Sequence, residues 1–415
     1  WVACAWVLQE ALRDRLPFGG FPWGRLAFSQ ADSPLRWFAR AGGAPLVTFA
    51  VALTGAALCL VLERLRTAQW RAGAFAVIVA ALAPVAGLSV GSGHSLFGPA
   101  PDARYLNVAV IQGSVPDRGL AFEDRAREVL DNHITETLKL AADVEAHRVP
   151  RPDLVVWPEN ASDVDPFQDP TAFRDIDATV QRIGVPVLVG AILQGPGNHR
   201  RNAGILWSPT TGPGAQYVKR HPVPFGEYIP LRSIAKLVSS DVNLVQQDMV
   251  GGHGNGLVTG GPVPIGDVIC FEVAYDGLVR SSVAAGAQLL VVQTNNATFG
   301  HTAETYQQLA MSRLRAVETG RTVLQAATTG KSAIIAYDGS ITAQSGALFT
   351  SDVLAASVQL STAKTLAVRV GAVPEYLLAA CALVGILYGA WPIRRRRRLV
   401  RPDPSDTEIQ EMVTT

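Results

Sequence analysis

Long apolar runs without charge lie towards both ends of the chain, and the middle alternates short apolar runs with polar, amphipathic stretches. Pro45 to Leu62 is almost uninterrupted Ala, Val, Leu and Thr, and Ala72 to Val90 and Tyr376 to Trp391 are similar. Each predicts a short membrane-spanning helix, and Pro84 is tolerated in the second where neighbouring helices satisfy the freed backbone groups. The opening WVACAWVLQ is too short to span before Glu10 and Arg13 interrupt it, so it reads as the end of a span whose beginning is missing. Leu16 to Gln30, LPFGGFPWGRLAFSQ, sets Phe18, Phe21, Trp23 and Phe28 among Gly and Pro. That pattern breaks a continuous helix and predicts an aromatic loop at a membrane surface.

Between about Ser92 and Glu375 the period changes. Leu106–Ile111, Leu154–Trp157, Val187–Leu193, Ala203–Trp207, Ile265–Cys270, Leu289–Gln293 and Ser332–Tyr337 read as strands. Phe122–His147, Ala172–Ile183 and Thr302–Thr319 read as helices. Strands this apolar are buried on both faces, which implies a layered α/β domain. The segment Tyr228 to Met249 mixes Ile229, Leu231, Ile234, Leu237 and Val238 with polar residues, the pattern of an amphipathic lid. The tail after Arg401 is polar and predicted disordered.

Composition supports a mixed membrane and globular chain: 415 residues are 48% hydrophobic and 17% charged, with a mean hydropathy of +0.20. The net charge of +1, from 36 Lys+Arg against 35 Asp+Glu, gives no basic field for nucleic acid. Neither zinc-type Cys/His spacing nor a phosphate-binding glycine loop is present in the sequence. Arg64, Arg66 and Arg71 between two spans, and Arg394 to Arg398 after the last, put both basic ends in the cytoplasm and the polar middle on the opposite face. Arg13, Arg15, Arg25, Arg36 and Arg40 pull the other way, since the same topology puts them outside.

Cys270 ends the apolar run in PIGDVICFEVAY, Pro264 to Tyr275, and is the one cysteine outside the apolar segments that hold Cys4, Cys59 and Cys381. Alone it fits a small core residue or half a disulfide better than a reactive thiol. Two further stretches add reactive groups: DLVVWPEN brings Glu159 to a strand end, and YVKRHPVPFGEYIP brings Lys219 and Glu227 beside a stiff loop. A thiol with a pKa near 8.5 is only slightly ionised at neutral pH, so it needs a base or a cation beside it. Cys, Glu and Lys thus fit a nucleophile, a general base and an oxyanion-stabilising cation. His221 also suggests a Cys-His dyad, but two residues from Lys219 on the strand exit it fits a structural role better.

The order WPE, K-x-H-x-VPFGE, CFE resembles the nitrilase, or carbon-nitrogen hydrolase, superfamily, and with the flanking spans it resembles the apolipoprotein N-acyltransferase family. The resemblance implies an α-β-β-α sandwich over 104–365 on the extracytoplasmic side. It implies a membrane region over 1–91, a transmembrane helix over 374–393 and a basic, polar cytoplasmic tail over 394–415. Further spans precede residue 1 in that family, so a fragment or a split gene is expected. The same resemblance gives Glu159, Lys219 and Cys270 as the catalytic set and Glu227, Glu272 and the backbone N–H of Phe271 as support. No metal or organic cofactor is implied. The partners implied are a phospholipid acyl donor, a diacylglyceryl-modified apolipoprotein acceptor and the bacterial inner membrane, with no nucleic acid. TNNATFG, Thr294 to Gly300, resembles a family loop near the site, although Thr298 and Phe271 stand where many members have Trp and Tyr. Alternatives with the same residues are a membrane-tethered amidase or nitrilase acting on a soluble amide, and a silent lipoprotein-binding scaffold.

Overall fold

The computed structural model describes residues 1–67, 70–92, 102–115 and 126–399. The side chains of Arg71 and Arg394 to Arg398, the start of the helix predicted from Phe122 and the tail after Arg401 lie outside the described residues. Two six-stranded sheets form the centre. The first runs β12-β1-β2-β3-β4-β5, with β1 Tyr105–Gln112, β2 Leu154–Val156, β3 Val187–Gln194, β4 Arg200–Ser208, β5 Gly212–Val218 and β12 Asp352–Gln359. The second runs β11-β10-β9-β8-β7-β6, with β6 Leu257–Val258, β7 Ile265–Ile269, β8 Leu289–Thr294, β9 Val323–Ala327, β10 Ala333–Ile335 and β11 Ile341–Gln344. In each sheet the middle strands β1-β2-β3 and β7-β8-β9 are parallel and the flanking pairs antiparallel.

Val108, Val110, Leu154 and Val156 from one sheet meet Ile265, Ile269, Val291 and Leu324 from the other in a shared core. The outer face of the first sheet packs on α4 Ala126–Glu145 and α5 Pro170–Ile183 through Ile111, Val155, Trp157, Leu140 and Ile176. The outer face of the second packs on α7 Asp276–Ala284 and α8 Glu304–Thr319. The result is the four-layer α-β-β-α sandwich. Helix α5 shows how the layers are delimited: Asp169 caps its start by accepting from the N–H groups of Thr171 and Ala172, and left-handed Gly184 ends it.

The N-terminal segment is not a separate layer. After α1 Val2–Arg13, the 3₁₀ turn Leu26–Gln30 carries Ala27 and Phe28 into the core of α7 and α8, where Ala39, Ala44 and Val47 join them. Phe28, expected at a membrane surface, is therefore buried. Helix α2 Ala39–Arg66 bends at Gly42 and Gly43, where Gly43 has φ +70°. A Cβ at Gly43 would lie 2.9 Å from Glu318 Oε1, so glycine is required for the approach as well as the angle. Helices α3 Trp70–Ser92 and α10 Val373–Leu399 follow the other apolar runs, and the five-residue helix α9 Leu366–Val370 precedes α10. Among the described residues one helix, Pro34–Arg66 with its 3₁₀ entry, is long and apolar enough to cross a membrane; Gly73–Ser89 and Val373–Gly389 are shorter apolar stretches.

Candidate active site

The carboxyl ends of the central strands converge, the usual place for reactive groups in α/β folds. Cys270 is the first residue after β7 and opens a 3₁₀ turn, Cys270–Ala274, rather than ending the strand. Its φ of +54° is left-handed, a conformation that costs a β-carbon residue roughly 1–3 kcal/mol and marks functional turns. Two buried groups hold it. Glu272 accepts from Ile269 N at 2.9 Å and, through its other oxygen, from Tyr217 Oη at 2.8 Å, Arg220 N at 2.7 Å and His221 N at 3.0 Å. Arg315 donates to the carbonyls of Val273 and Ala274, both at 2.8 Å. Glu272 thus ties the nucleophile turn to the strand exit that carries Lys219.

Glu159 follows β2 in a turn that lies against β3, where a Cβ at Gly190 would fall 2.1 Å from Pro158 O. Glu159 Oε1 accepts from Lys219 Nζ at 2.9 Å and Asn202 Nδ2 at 2.6 Å, and Oε2 from Asn295 N at 2.8 Å. Lys219, directly after β5, donates also to Glu227 Oε1 at 2.9 Å. Glu227 is fixed by Val223 N at 2.7 Å and by Asn202 at 3.2 Å. Lys219 is 1% exposed, so burial alone lowers its pKa, but the charges of Glu159 and Glu227 outweigh that and hold the ammonium well above the ordinary lysine value.

Burial, then the charge of Glu159, push the Cys270 thiol up to about 12, against the pull of Lys219. The resting sulfur is therefore a neutral thiol at pH 7, and its proton must leave as the substrate is attacked. Thr294 Oγ1 lies 3.4 Å and Gln308 Nε2 3.6 Å from Cys270 Sγ. His221 stacks face to face on Tyr275 at 4.2 Å, and burial with Arg220 lowers its pKa to about 4, which fits the structural role.

The sequence motifs bring Cys270, Glu159, Lys219 and Glu227 together, with Glu272 behind the turn. Sequence reasoning missed Asn202, Gln308 and Arg315, which carry no motif. It also missed the roof. Phe271 stacks on Trp23 at 6.1 Å and packs on Phe21 at 5.4 Å, while Trp23 meets Phe299 at 5.9 Å. The tyrosine hydroxyls of Tyr275 and Tyr228 anchor the same loop, donating to Gly20 O at 3.2 Å and Phe18 O at 3.2 Å. Arg25 from this loop is buried and pairs with Asp276 at 2.9 Å, Asp14 at 3.3 Å and Glu10 at 3.5 Å. Asp276 is in turn 2.7 Å from Arg315. Burial raises the Asp276 pKa, but Arg25, Arg315 and Arg280 overcome it and hold the carboxyl far below the usual range.

The chain belongs to the carbon-nitrogen hydrolase family, whose model matches residues 107–367. Residues 1–57 match the apolipoprotein N-acyltransferase N-terminal domain, so both parts of the sequence resemblance are borne out. The apolipoprotein N-acyltransferase of Mycolicibacterium smegmatis is 43% identical over 336 residues, covering 75% of this chain and 55% of its own. That of Pseudomonas putida is 34% identical over 347 residues, covering 82% and 65%. The chain therefore spans about half to two thirds of the length of these curated relatives. The carbon-nitrogen hydrolase of Helicobacter pylori, a solved structure, has 14% identity and a TM-score of 0.46, over 61% of this chain and 89% of its own.

Proposed function

We propose that the chain carries the catalytic machinery of a phospholipid-dependent N-acyltransferase acting on the diacylglyceryl-cysteine N-terminus of apolipoproteins. One observation supports a lipid donor over a soluble amide: an apolar rim runs from the nucleophile turn to open surface. Phe21 and Trp23 cover Phe271, Phe18 meets Phe225 edge to face at 6.3 Å, and α6 Arg232–Val238 begins four residues after Tyr228, whose hydroxyl bonds Phe18 O. Leu237 and Val238 on α6 are 86% and 85% exposed, apolar surface suited to lipid. The segment Tyr228 to Met249, expected as a lid, holds α6 and a 3₁₀ turn, Ser240–Leu244.

In this reading Glu159 takes the Cys270 proton as sulfur attacks the ester carbonyl of the phospholipid. Lys219 and the Phe271 N–H hold the oxyanion. Collapse breaks the ester C–O bond, Glu159 protonates the departing glyceryl oxygen, and the lysophospholipid leaves. The lipoprotein α-amine then attacks the thioester, Glu159 takes its proton, and the thiol is restored. Protein incubated with phospholipid alone gains the mass of one acyl chain on the Cys270 peptide, and a diacylglyceryl-cysteine peptide discharges it. Ammonia release from a small amide without any adduct would establish the amidase reading instead.

The same proposal puts 104–365 outside the cytoplasm, between a multi-pass membrane region over 1–91 and a helix over 374–393 leading to the cytoplasmic tail 394–415. Three of the five arginines that opposed this topology turn into the protein: Arg25 and Arg40 are buried, and Arg15 grips Glu375 at 3.0 and 2.6 Å. Asn198 is exposed on the domain surface. Asn198→Cys, in a chain stripped of its other cysteines, labels with a membrane-impermeant maleimide in intact spheroplasts. Labelling only after lysis refutes the topology.

A further inference from the structure

Glu159, Lys219 and Glu227 do not exhaust the polar groups around Cys270. The parallel register sets Gln293 beside Ile269, which brings Thr294, at the end of β8, level with Cys270. Thr294 Oγ1 lies within reach of two acceptors, Cys270 Sγ at 3.4 Å and Gln308 Oε1 at 2.8 Å. A hydroxyl has one proton and cannot donate to both. Gln308, from α8, turns its Nε2 to the sulfur at 3.6 Å, and its Oε1 accepts separately from Asn296 Nδ2 at 2.7 Å. Thr294, Gln308 and Asn296 are all buried, so water does not substitute for these contacts.

We propose that Thr294 and Gln308 are catalytic residues that stabilise the Cys270 thiolate by exchanging hydrogen bonds as it ionises. In the thiol state, S–H donates to Thr294 Oγ1 and the Thr294 hydroxyl donates to Gln308 Oε1. When the proton passes to Glu159, the Thr294 hydroxyl turns to the sulfur and Gln308 Nε2–H becomes its second donor. Gln308 Oε1 is not orphaned by this turn, because Asn296 still donates to it. Formation of the S–C bond removes the charge from sulfur, and Thr294 returns to Gln308. Bonds to a charged acceptor are stronger than those to a neutral thiol, so the pair favours the ionised state and the attack that follows. The same two donors thus act once in each half of the acyl transfer.

The proposal rests on Cys270 as nucleophile but is tested without an acyl substrate. The full chain in detergent is alkylated with iodoacetamide between about pH 7 and 10, where the rate follows the thiolate fraction, and the Cys270 peptide is quantified by mass spectrometry. Thr294→Val keeps the side-chain shape and slows alkylation about tenfold at each pH, the loss expected for a hydrogen bond to a charged group. Thr294→Ser restores the wild-type rate. Gln308→Met slows it similarly, and Gln308→Glu slows it further, since a carboxylate beside sulfur opposes ionisation. Wild-type rates in Thr294→Val and Gln308→Met, or a Thr294→Ser variant as slow as Thr294→Val, overturn the proposal. Unfolding has the opposite sign because it exposes the sulfur. Should Thr294→Val react faster than wild type, the comparison of Gln308→Met with Gln308→Glu carries the test, and equal rates overturn it. Loss of acyl transfer with normal alkylation differences would count against the lipid reading alone.

Discussion

Cys270→Ala eliminates both the acyl adduct and turnover, whereas Glu159→Gln keeps the fold and lowers the rate of adduct formation by roughly 10²- to 10⁴-fold, the range for loss of a general base. The difference follows from their positions. No other described cysteine stands near the carboxyl ends of the strands, so nothing replaces the sulfur of Cys270. Glutamine at 159 retains one oxygen, which in the Oε1 position still accepts from Lys219 and Asn202, at 2.9 and 2.6 Å in the native chain, and gives up only the bond from Asn295 N at 2.8 Å, so it keeps the packing while losing the proton acceptor. Adduct mass and single-turnover rate separate the two variants. Turnover in Cys270→Ala would mean that the nucleophile lies elsewhere.

Lys219→Met unfolds at markedly lower denaturant concentration as well as losing activity. Its ammonium lies 2.9 Å from both Glu159 Oε1 and Glu227 Oε1 and is the counter-ion for this carboxylate pair. Removing one partner of a buried ion pair typically costs roughly 3–5 kcal/mol, because the remaining charge is left uncompensated. The sign with pH is specific. In the native chain the lysine pKa is raised, so the stability it contributes is complete below the unfolded value near 10.5 and is lost only as pH rises through the folded value. The deficit of Lys219→Met is therefore full at neutral pH and narrows in alkali, where the native chain itself loses the ammonium. Denaturation midpoints from about pH 7 to 11 measure this, and a deficit that does not narrow would argue that Lys219 matters through packing alone.

The buried strands were legible in the sequence because apolar, β-branched runs such as LVV at Leu154–Val156, VLVGAIL from Val187 and LLVVQ from Leu289 need cover on both faces. β2, β3 and β8 fall within a residue or two of their expected limits. Cys270 and Glu159 were legible for the same reason, since each closely follows such a run, while Lys219 and Glu227 stood out through the K-x-H-x-VPFGE motif. The exit of β5 was expected at Lys219 but not its extent, because GPGAQYV carries two glycines and a proline and is largely uncovered; pairing with β4 makes it a strand. β11 and β12 were missed as edge-type sequences with alternating cover, and β9 because its apolar signal is short. Glu10 and Arg25 misled most. In sequence a charge in an apolar run looks like the end of a span, while here Glu10 is 1% exposed and accepts from Leu26 N at 2.9 Å and Thr48 Oγ1 at 2.8 Å. No local pattern announces partners such as Asp276 and Arg315 that lie in remote parts of the chain.

The Arg25–Asp276–Arg315 contact sets a limit on how this protein can be divided. A piece beginning at residue 104 contains every strand and every candidate reactive group, and by sequence alone it looks self-sufficient. It would nonetheless lack Arg25, one of the cations around buried Asp276, and Phe28, the ring that both Arg25 and Arg315 cover at 5.9 and 5.4 Å. Arg315 is the side chain that clamps the backbone just after Cys270. A unit that keeps these contacts is therefore discontinuous along the chain, and a fragment designed for crystallography or inhibitor screening preserves them only with the first helix and its loop joined to the sandwich.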